Sequence, residues 1–390
     1  MAAIRHPQTN RATGNPPVRE RRGASSMGRQ FDVAIIGAGP AGSAAAIELA
    51  RVDRRVIVIE RRTFPRPKVC GGCLSGRAVE RLRALARRHE PLPGTRALLI
   101  TFVIGRYRLK CDPRGGTRIV LRSELDQWLA EIANEAGAEM RYGQPAEPVR
   151  GERGWDVSVD GERILAGTIL LACGLSGLPR KLGIPAARAR RRMIAQQWLQ
   201  PPAGRMPAPG CVEMHWLRGG YVGLATPAAD CCVVAMAAEV PDTAGENVWE
   251  CLRRLNPDAP IWSSVPADAP RRYSAKGAAG FPWAPRRLGV DNVLLIGDAA
   301  GYEEPFTGEG MAQAMGSATC AAQAILQGGD ILRNYSALME RNHRPSAGRL
   351  RLLGRILRNP LVGVLAAGPV LLPQRPLARL IERVHVEVPK

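Results

Sequence analysis

The stretch "FDVAIIGAGPAGSAAAIELA", residues 31–50, most constrains what this chain can fold into. Val33 to Ile36 form a short apolar run that stops at a glycine, the pattern of a buried strand rather than a helix. The chain then turns through Gly37, Gly39 and Gly42 into an alanine-rich helix. Gly37 permits the tight turn, Gly39 lets backbone approach a diphosphate, and Gly42 lets helix and strand pack closely. The free N–H groups and positive dipole end of the helix then face the phosphates. A second apolar run, "RVIVIE", ends at Glu60. That carboxylate lies about 20 residues past the glycines, where it can accept hydrogen bonds from an adenosine ribose. Pro40 and Ala41 in the turn, and Arg61 beside the acid, complete the predicted contacts. This half of the site specifies a dinucleotide without choosing between FAD and NAD.

A distant segment bears on that choice. "DNVLLIGDAAGYEEPFTGEGMAQAM" places an apolar strand, Val293 to Ile296, before Gly297 and Asp298. A loop with Pro305, Gly308 and Gly310 follows, and a helix is predicted from about Met311. A carboxylate at a strand end can bind sugar or ribityl hydroxyls. The N–H groups of a second helix N-terminus suit an electron-rich carbonyl edge such as flavin O2 and N1.

The pairing of "GAGPAG" with "GDAAG" and "FTGEG" resembles the FAD-dependent oxidoreductases of the aromatic-hydroxylase fold. It is most similar to the geranylgeranyl reductase-like flavin dehydrogenases, over roughly residues 31–345. The resemblance implies that Asp298 contacts the ribityl and pyrophosphate region and that Pro305, Gly310 and Met311 edge the isoalloxazine. It also implies FAD contact by Arg122, ahead of the predicted helix "SELDQWLAEIANEAGAE"; a surface helix charge is the alternative.

"PKVCGGCLS", residues 67–75, carries two cysteines three positions apart. Relatives of the resembled group have a "K.CGG.L" stretch here, matched by Lys68, Cys70, Gly71, Gly72 and Leu74. Its glycines let backbone lie flat against the flavin, with Cys70 nearest the ring. Cys73 has no counterpart in that pattern. A redox pair, a metal knuckle and inert thiols are the competing readings. The sequence shows neither a second glycine fingerprint for NADPH nor a second CxxC, so the flavin-lining loop is preferred.

"TILLACGLSGLPRK" departs from the resembled pattern, with Cys173-Gly174 where related flavoproteins have Asp-Gly. In the hydroxylases that aspartate is associated with FAD and the nicotinamide donor. "GYVGLATP" keeps Tyr221 and Pro227 of a prenyl-reductase "YxWxFP" stretch but has Gly223 and Thr226 in place of its aromatics. Tyr221, Phe281 and Trp283 are the candidate substrate contacts, with core packing the competing reading for Phe281 and Trp283. His215 and His385 are acid–base candidates, and a lone histidine is more often structural.

Nine cysteines without regular spacing point to a reducing cytoplasm. The net charge of +20 rests almost wholly on arginine, and no aromatic-interleaved basic box suggests nucleic acid. The predicted fold is α/β: a Rossmann-like FAD-binding domain interleaved with a smaller mixed β-sheet substrate domain. The FAD pieces are 30–95, 115–180 and 285–345; the substrate pieces are 96–114 and 185–284. Residues 1–29 read as a disordered basic tail, or as a mis-assigned start with Met27 the initiator. Residues 346–390 read as helices, either packed over the substrate domain or lying at the inner face of a membrane.

The leading function is a flavin-dependent reductase or dehydrogenase acting on an apolar small molecule through hydride transfer at flavin N5, with NAD(P)H as electron donor. The alternatives are a monooxygenase that hydroxylates an aromatic ring through a flavin hydroperoxide, and a flavin-binding protein without catalysis. The sequence offers no metal site.

Overall fold

The computed structural model describes residues 30–87, 91–105, 107–113, 115–152, 154–185, 193–201, 204–239, 247–273, 275–281, 284–302 and 308–342. The first apolar run becomes strand β1 (Gln30–Ile36), central in a parallel sheet between β2 (Val56–Glu60) and β11 (Glu162–Leu171). β8 (Glu139–Tyr142) continues the sheet beyond β2, and β18 (Val293–Leu295) beyond β11. Antiparallel β17 (Gly289–Val290) closes one edge. The length of β11 lets it also pair with β10 (Gly154–Val159), which pairs with β9 (Ala146–Gly151).

Alternation along these strands sends side chains to two different layers. Val33, Ile35, Val56 and Val58 pack beneath helices α1 (Pro40–Ala50), α3 (Arg122–Glu135) and α7 (Gly310–Gln327). Ala34, Ile36, Ile57 and Ile59 pack on Trp155 and Val157 of the β10 layer. A sheet covered on both faces needs uninterrupted apolar strands, which is why these runs do not alternate with polar residues. In α1 every residue but Glu48 is buried, and its alanines let it sit close to α3 and α7.

The chain leaves this layer twice to build a second sheet. Its strand order is β16 (Lys276–Phe281), β12 (Met193–Gln200), β15 (Cys231–Glu239), β14 (Gly220–Ala228), β13 (Cys211–Leu217), β5 (Leu99–Ile104) and β6 (Tyr107–Cys111). All neighbours are antiparallel except β13 and β5. One face holds Val222, Leu224, Val234 and Met236 against α5 (Val248–Leu255). A capping box between Asn247 and Glu250 starts that helix. The opposite face looks toward the nucleotide layer. A small sheet of β3 (Cys73–Leu74), β7 (Arg118–Ile119) and β4 (Thr95–Arg96), together with α2 (Gly76–Ala86), lies between the two large sheets in sequence.

Among the described residues no helix is long and apolar enough to cross a membrane. The basic tail and the segment 346–390 lie outside the described residues.

Candidate cofactor and substrate site

One cavity of about 1080 Å³ runs from the β1–α1 turn to the inner face of the seven-stranded sheet. Its nucleotide end is built by the glycine turn. Gly37 has φ +107°, and a Cβ there would lie 2.6 Å from the Ala172 carbonyl oxygen. A Cβ at Gly42 would lie 1.9 Å from the Gly37 carbonyl oxygen, so strand and helix approach to backbone contact. Gly39, Pro40 and Ala41 line the cavity at the open N-terminus of α1.

Beside Gly39 stand two guanidinium groups. A Cβ on Gly39 would be 3.8 Å from Arg66 Nη2 and 3.9 Å from Arg122 Nη2. Both side chains are largely covered and share one acid, the fully buried Asp126. Arg66 Nη1 lies 3.0 Å from Asp126 Oδ2. Arg122 donates from Nε to Oδ1 and from Nη2 to Oδ2, each at 2.8 Å. Burial opposes the charge of Arg122, but the attraction and hydrogen bonds of Asp126 outweigh it and raise its pKa above the ordinary value. Arg66 reaches onward to Glu60 Oε2 at 3.2 Å. Glu60 also accepts from the Ala38 N–H at 3.0 Å and the Arg62 N–H at 3.2 Å. Three donors therefore hold this carboxylate, and its four lone-pair positions leave capacity on Oε1.

These groups fit a dinucleotide diphosphate. Arg66 Nε is buried with no hydrogen-bond partner, and an orphaned buried donor beside a glycine cradle suits a phosphate oxygen. The sequence reading missed Arg66, because Arg61, Arg62 and Arg66 follow Glu60 with nothing local to rank them. Arg61 and Arg62 are exposed on the cavity rim. Asp126 carried a readable signal, four residues after Arg122 on one helix face.

At the other end of the cofactor arm, Gly297 presses on α1: a Cβ there would lie 2.9 Å from Ala41 Cβ. The Gly297 N–H donates to Ser317 Oγ at 2.8 Å. Asp298 lines the cavity with Lys68 Nζ 3.8 Å from its Oδ2. The Lys68 ammonium sits over Gly174, where a Cβ would be only 2.8 Å away. Cys173 therefore stands beside a cation; burial raises its thiol pKa, against the Ser176 hydrogen bond and the charges of Lys68 and Arg61. Helix α7 starts at Gly310, one residue before the predicted start. Gly308, Gly310 and Met311 line the cavity at its N-terminus. The cap residue Glu309 is buried, 3.5 Å from Arg77 Nη1. Pro305 lies outside the described residues.

The CGGC loop crosses between the two ends. Cys70 and Gly71 line the cavity, and the Cys70 N–H donates to Gln197 Oε1 of β12 at 3.3 Å. Gly72 adopts φ +73°, and a Cβ there would be 3.2 Å from the Val120 carbonyl oxygen. Neither cysteine is in a disulfide. Cys73, half-buried beside Gly308, also lines the cavity, and burial, then Cys70 and Glu309, push its thiol pKa up to about 12. Such a thiol is a poor nucleophile at neutral pH, which favours the lining-loop reading.

The far end of the cavity is apolar. Phe102, Tyr221 and Ala237 form a buried cluster joined by Met214, Trp216 and Tyr302. Tyr221 stacks at a tilt on Trp216, ring centroids 5.6 Å apart. Between them the floor is low, because Gly223 pairs with Ala235 and Ala195 pairs with Ala237. The described residues place only the backbone of Phe281, at the end of β16, and do not include Trp283. His215 falls on the opposite face of the sheet, paired with Val222 and bonded to Glu213 Oε2 at 3.1 Å. Strand alternation, invisible until the register is known, removes it from the chamber. His385 is outside the described residues.

Residues 31–199 match the pyridine nucleotide-disulphide oxidoreductase family. A menaquinone reductase of Mycolicibacterium smegmatis is 27% identical over 403 residues, covering 92% of each chain. A geranylgeranyl bacteriochlorophyll reductase-like protein of Thermoplasma acidophilum shares the fold at TM-score 0.70 and 18% identity, over 92% of both chains. A flavin-dependent brominase also shares it, at TM-score 0.70 and 19% identity over 92% of this chain and 94% of that one. The two-sheet α/β fold, the cofactor cradle and these relatives define an FAD-dependent oxidoreductase. The fold is the one it shares with the geranylgeranyl reductase-like protein, and the cofactor of the class is FAD.

Proposed function

We propose that the chain is a reductase of an apolar small molecule, with a reduced nicotinamide as electron donor. The observation that carries this reading is the continuity of the cavity: one space joins the phosphate grip to the Phe102, Met214 and Tyr221 wall. Bound FAD would supply hydride transfer at its N5 atom. The protein's part is to bind, orient and exclude water. Gly39, the α1 N-terminus, Arg66 and Arg122 would hold the diphosphate, and Glu60 a ribose hydroxyl. Asp298, balanced by Lys68, would take the ribityl region, and the first-turn N–H groups of α7 would face the flavin carbonyl edge. An apolar wall that keeps water from the flavin end would strengthen the interactions made there. The naming of a 27% identical relative as a menaquinone reductase supports a substrate of low polarity.

Anaerobic titration tests the reading. NADPH should bleach the bound flavin, and a prenylated quinone should restore its absorption without oxygen. Hydroxylated product formed only when oxygen is admitted would select the monooxygenase instead. No bleaching by either nicotinamide would remove the donor from the scheme.

A further inference from the structure

The register of the seven-stranded sheet lines up one row of residues on the cavity side: Phe102, Met214, Gly223, Ala235, Gln197 and Lys276, from β5 to β16. Five strand spacings separate its ends, roughly 24 Å at about 4.8 Å per spacing. The row changes character along its length. Phe102 is an apolar wall, the Met214 thioether lies over Gly223, where a Cβ would be 2.9 Å from its Sδ, Ala235 continues the low floor, and Gln197 is tied to the CGGC loop through Cys70. It ends on Lys276, exposed and lining the cavity.

Among the described residues of this sheet that line the cavity, Lys276 is the one charged side chain. The cavity's other cations belong to the nucleotide layer, where Arg66, Lys68, Arg77, Arg122 and Lys181 face Glu60, Asp298, Glu309, Asp126 and Glu147, and Arg61 and Arg62 stand exposed on the rim. No described carboxylate pairs with Lys276. Asp112 lies just past β6, at the opposite edge of the sheet and roughly 29 Å away at about 4.8 Å per strand.

We propose that Lys276 is the polar pole of the substrate chamber and binds the oxygen-bearing head of an elongated substrate. The apolar body would lie across Ala235 and Gly223 toward Phe102. This rests on the reading of the cavity as the chamber of a reductase for apolar molecules. The chemistry selects a substrate with an oxygen acceptor at one end and hydrocarbon along the rest. A pure hydrocarbon offers the exposed ammonium nothing in place of water, and a compact polar molecule leaves the floor uncovered. A hydrogen bond to a charged donor adds enough to set the end-to-end orientation of such a molecule.

Equilibrium dialysis of the FAD-loaded protein with two matched probes tests the assignment. One probe is 2-methyl-1,4-naphthoquinone carrying a geranyl tail; the other is 2-methylnaphthalene carrying the same tail. Wild type should bind the quinone more tightly. Lys276→Met should weaken the quinone about tenfold or more and leave the hydrocarbon unchanged or slightly tighter, while Lys276→Arg retains the preference. Flavin retention in each variant reports the integrity of the fold. Equal loss of both probes in Lys276→Met, or an unchanged quinone affinity, overturns the role of Lys276 alone. Failure of wild type to bind either probe overturns the apolar chamber, and the inference with it.

Discussion

Replacing Asp126 with asparagine isolates the charge that joins the two phosphate-facing arginines. The carboxylate is fully buried and accepts from Arg122 Nε and Nη2 at 2.8 Å each, while Arg66 Nη1 lies 3.0 Å away. Asparagine keeps the volume but has one acceptor oxygen, so its amide N–H₂ must face a guanidinium donor. Two cations, each less than a tenth exposed, then lack their common counter-charge. Breaking a buried ion pair from one side typically costs about 3–5 kcal/mol; both arginines line the cavity and Arg66 keeps Glu60, which places the cost at the lower end. The apoprotein should lose about that much stability in urea unfolding. With FAD bound the loss should shrink, because the diphosphate supplies negative charge at the same guanidinium groups. By linkage, the difference must reappear as tighter FAD binding, tenfold for about each 1.4 kcal/mol. An apoprotein loss below about 1 kcal/mol, the range of a solvated surface pair, would refute the buried network. Equal losses with and without FAD would separate the arginines from the phosphates.

Two further outcomes follow from the same geometry. Gly42→Ala should lose bound flavin, because its Cβ would fall 1.9 Å from the Gly37 carbonyl oxygen and force α1 from the sheet; full yellow colour after gel filtration would contradict this. Cys73, with its pKa at about 12, should react with iodoacetamide in the native state at pH 8 roughly a thousandfold more slowly than an ordinary thiol. Its rate should climb tenfold per pH unit toward that pKa, and peptide mapping that finds rapid labelling at pH 8 would contradict the raised pKa.

The elements legible in the sequence are those whose requirements are local. The turn after β1 needs a positive φ at Gly37 and no Cβ at Gly42, so the glycine pattern is itself the constraint. The second helix N-terminus announces itself similarly, through Gly308 and Gly310. Strands covered on both faces advertise themselves as unbroken apolar runs, as "AIIG" and "VIVIE" do. Sequence neighbours cannot reveal which of three arginines after Glu60 turns inward, since Arg66 is selected by Asp126, sixty residues away in the chain. Nor can they show that His215 faces away from the cavity while Met214 and Lys276 share one row, because that depends on strand pairing. Backbone sterics act within a few residues and leave their mark in composition. Charge pairing and sheet register act across the chain, and only the folded arrangement decides them.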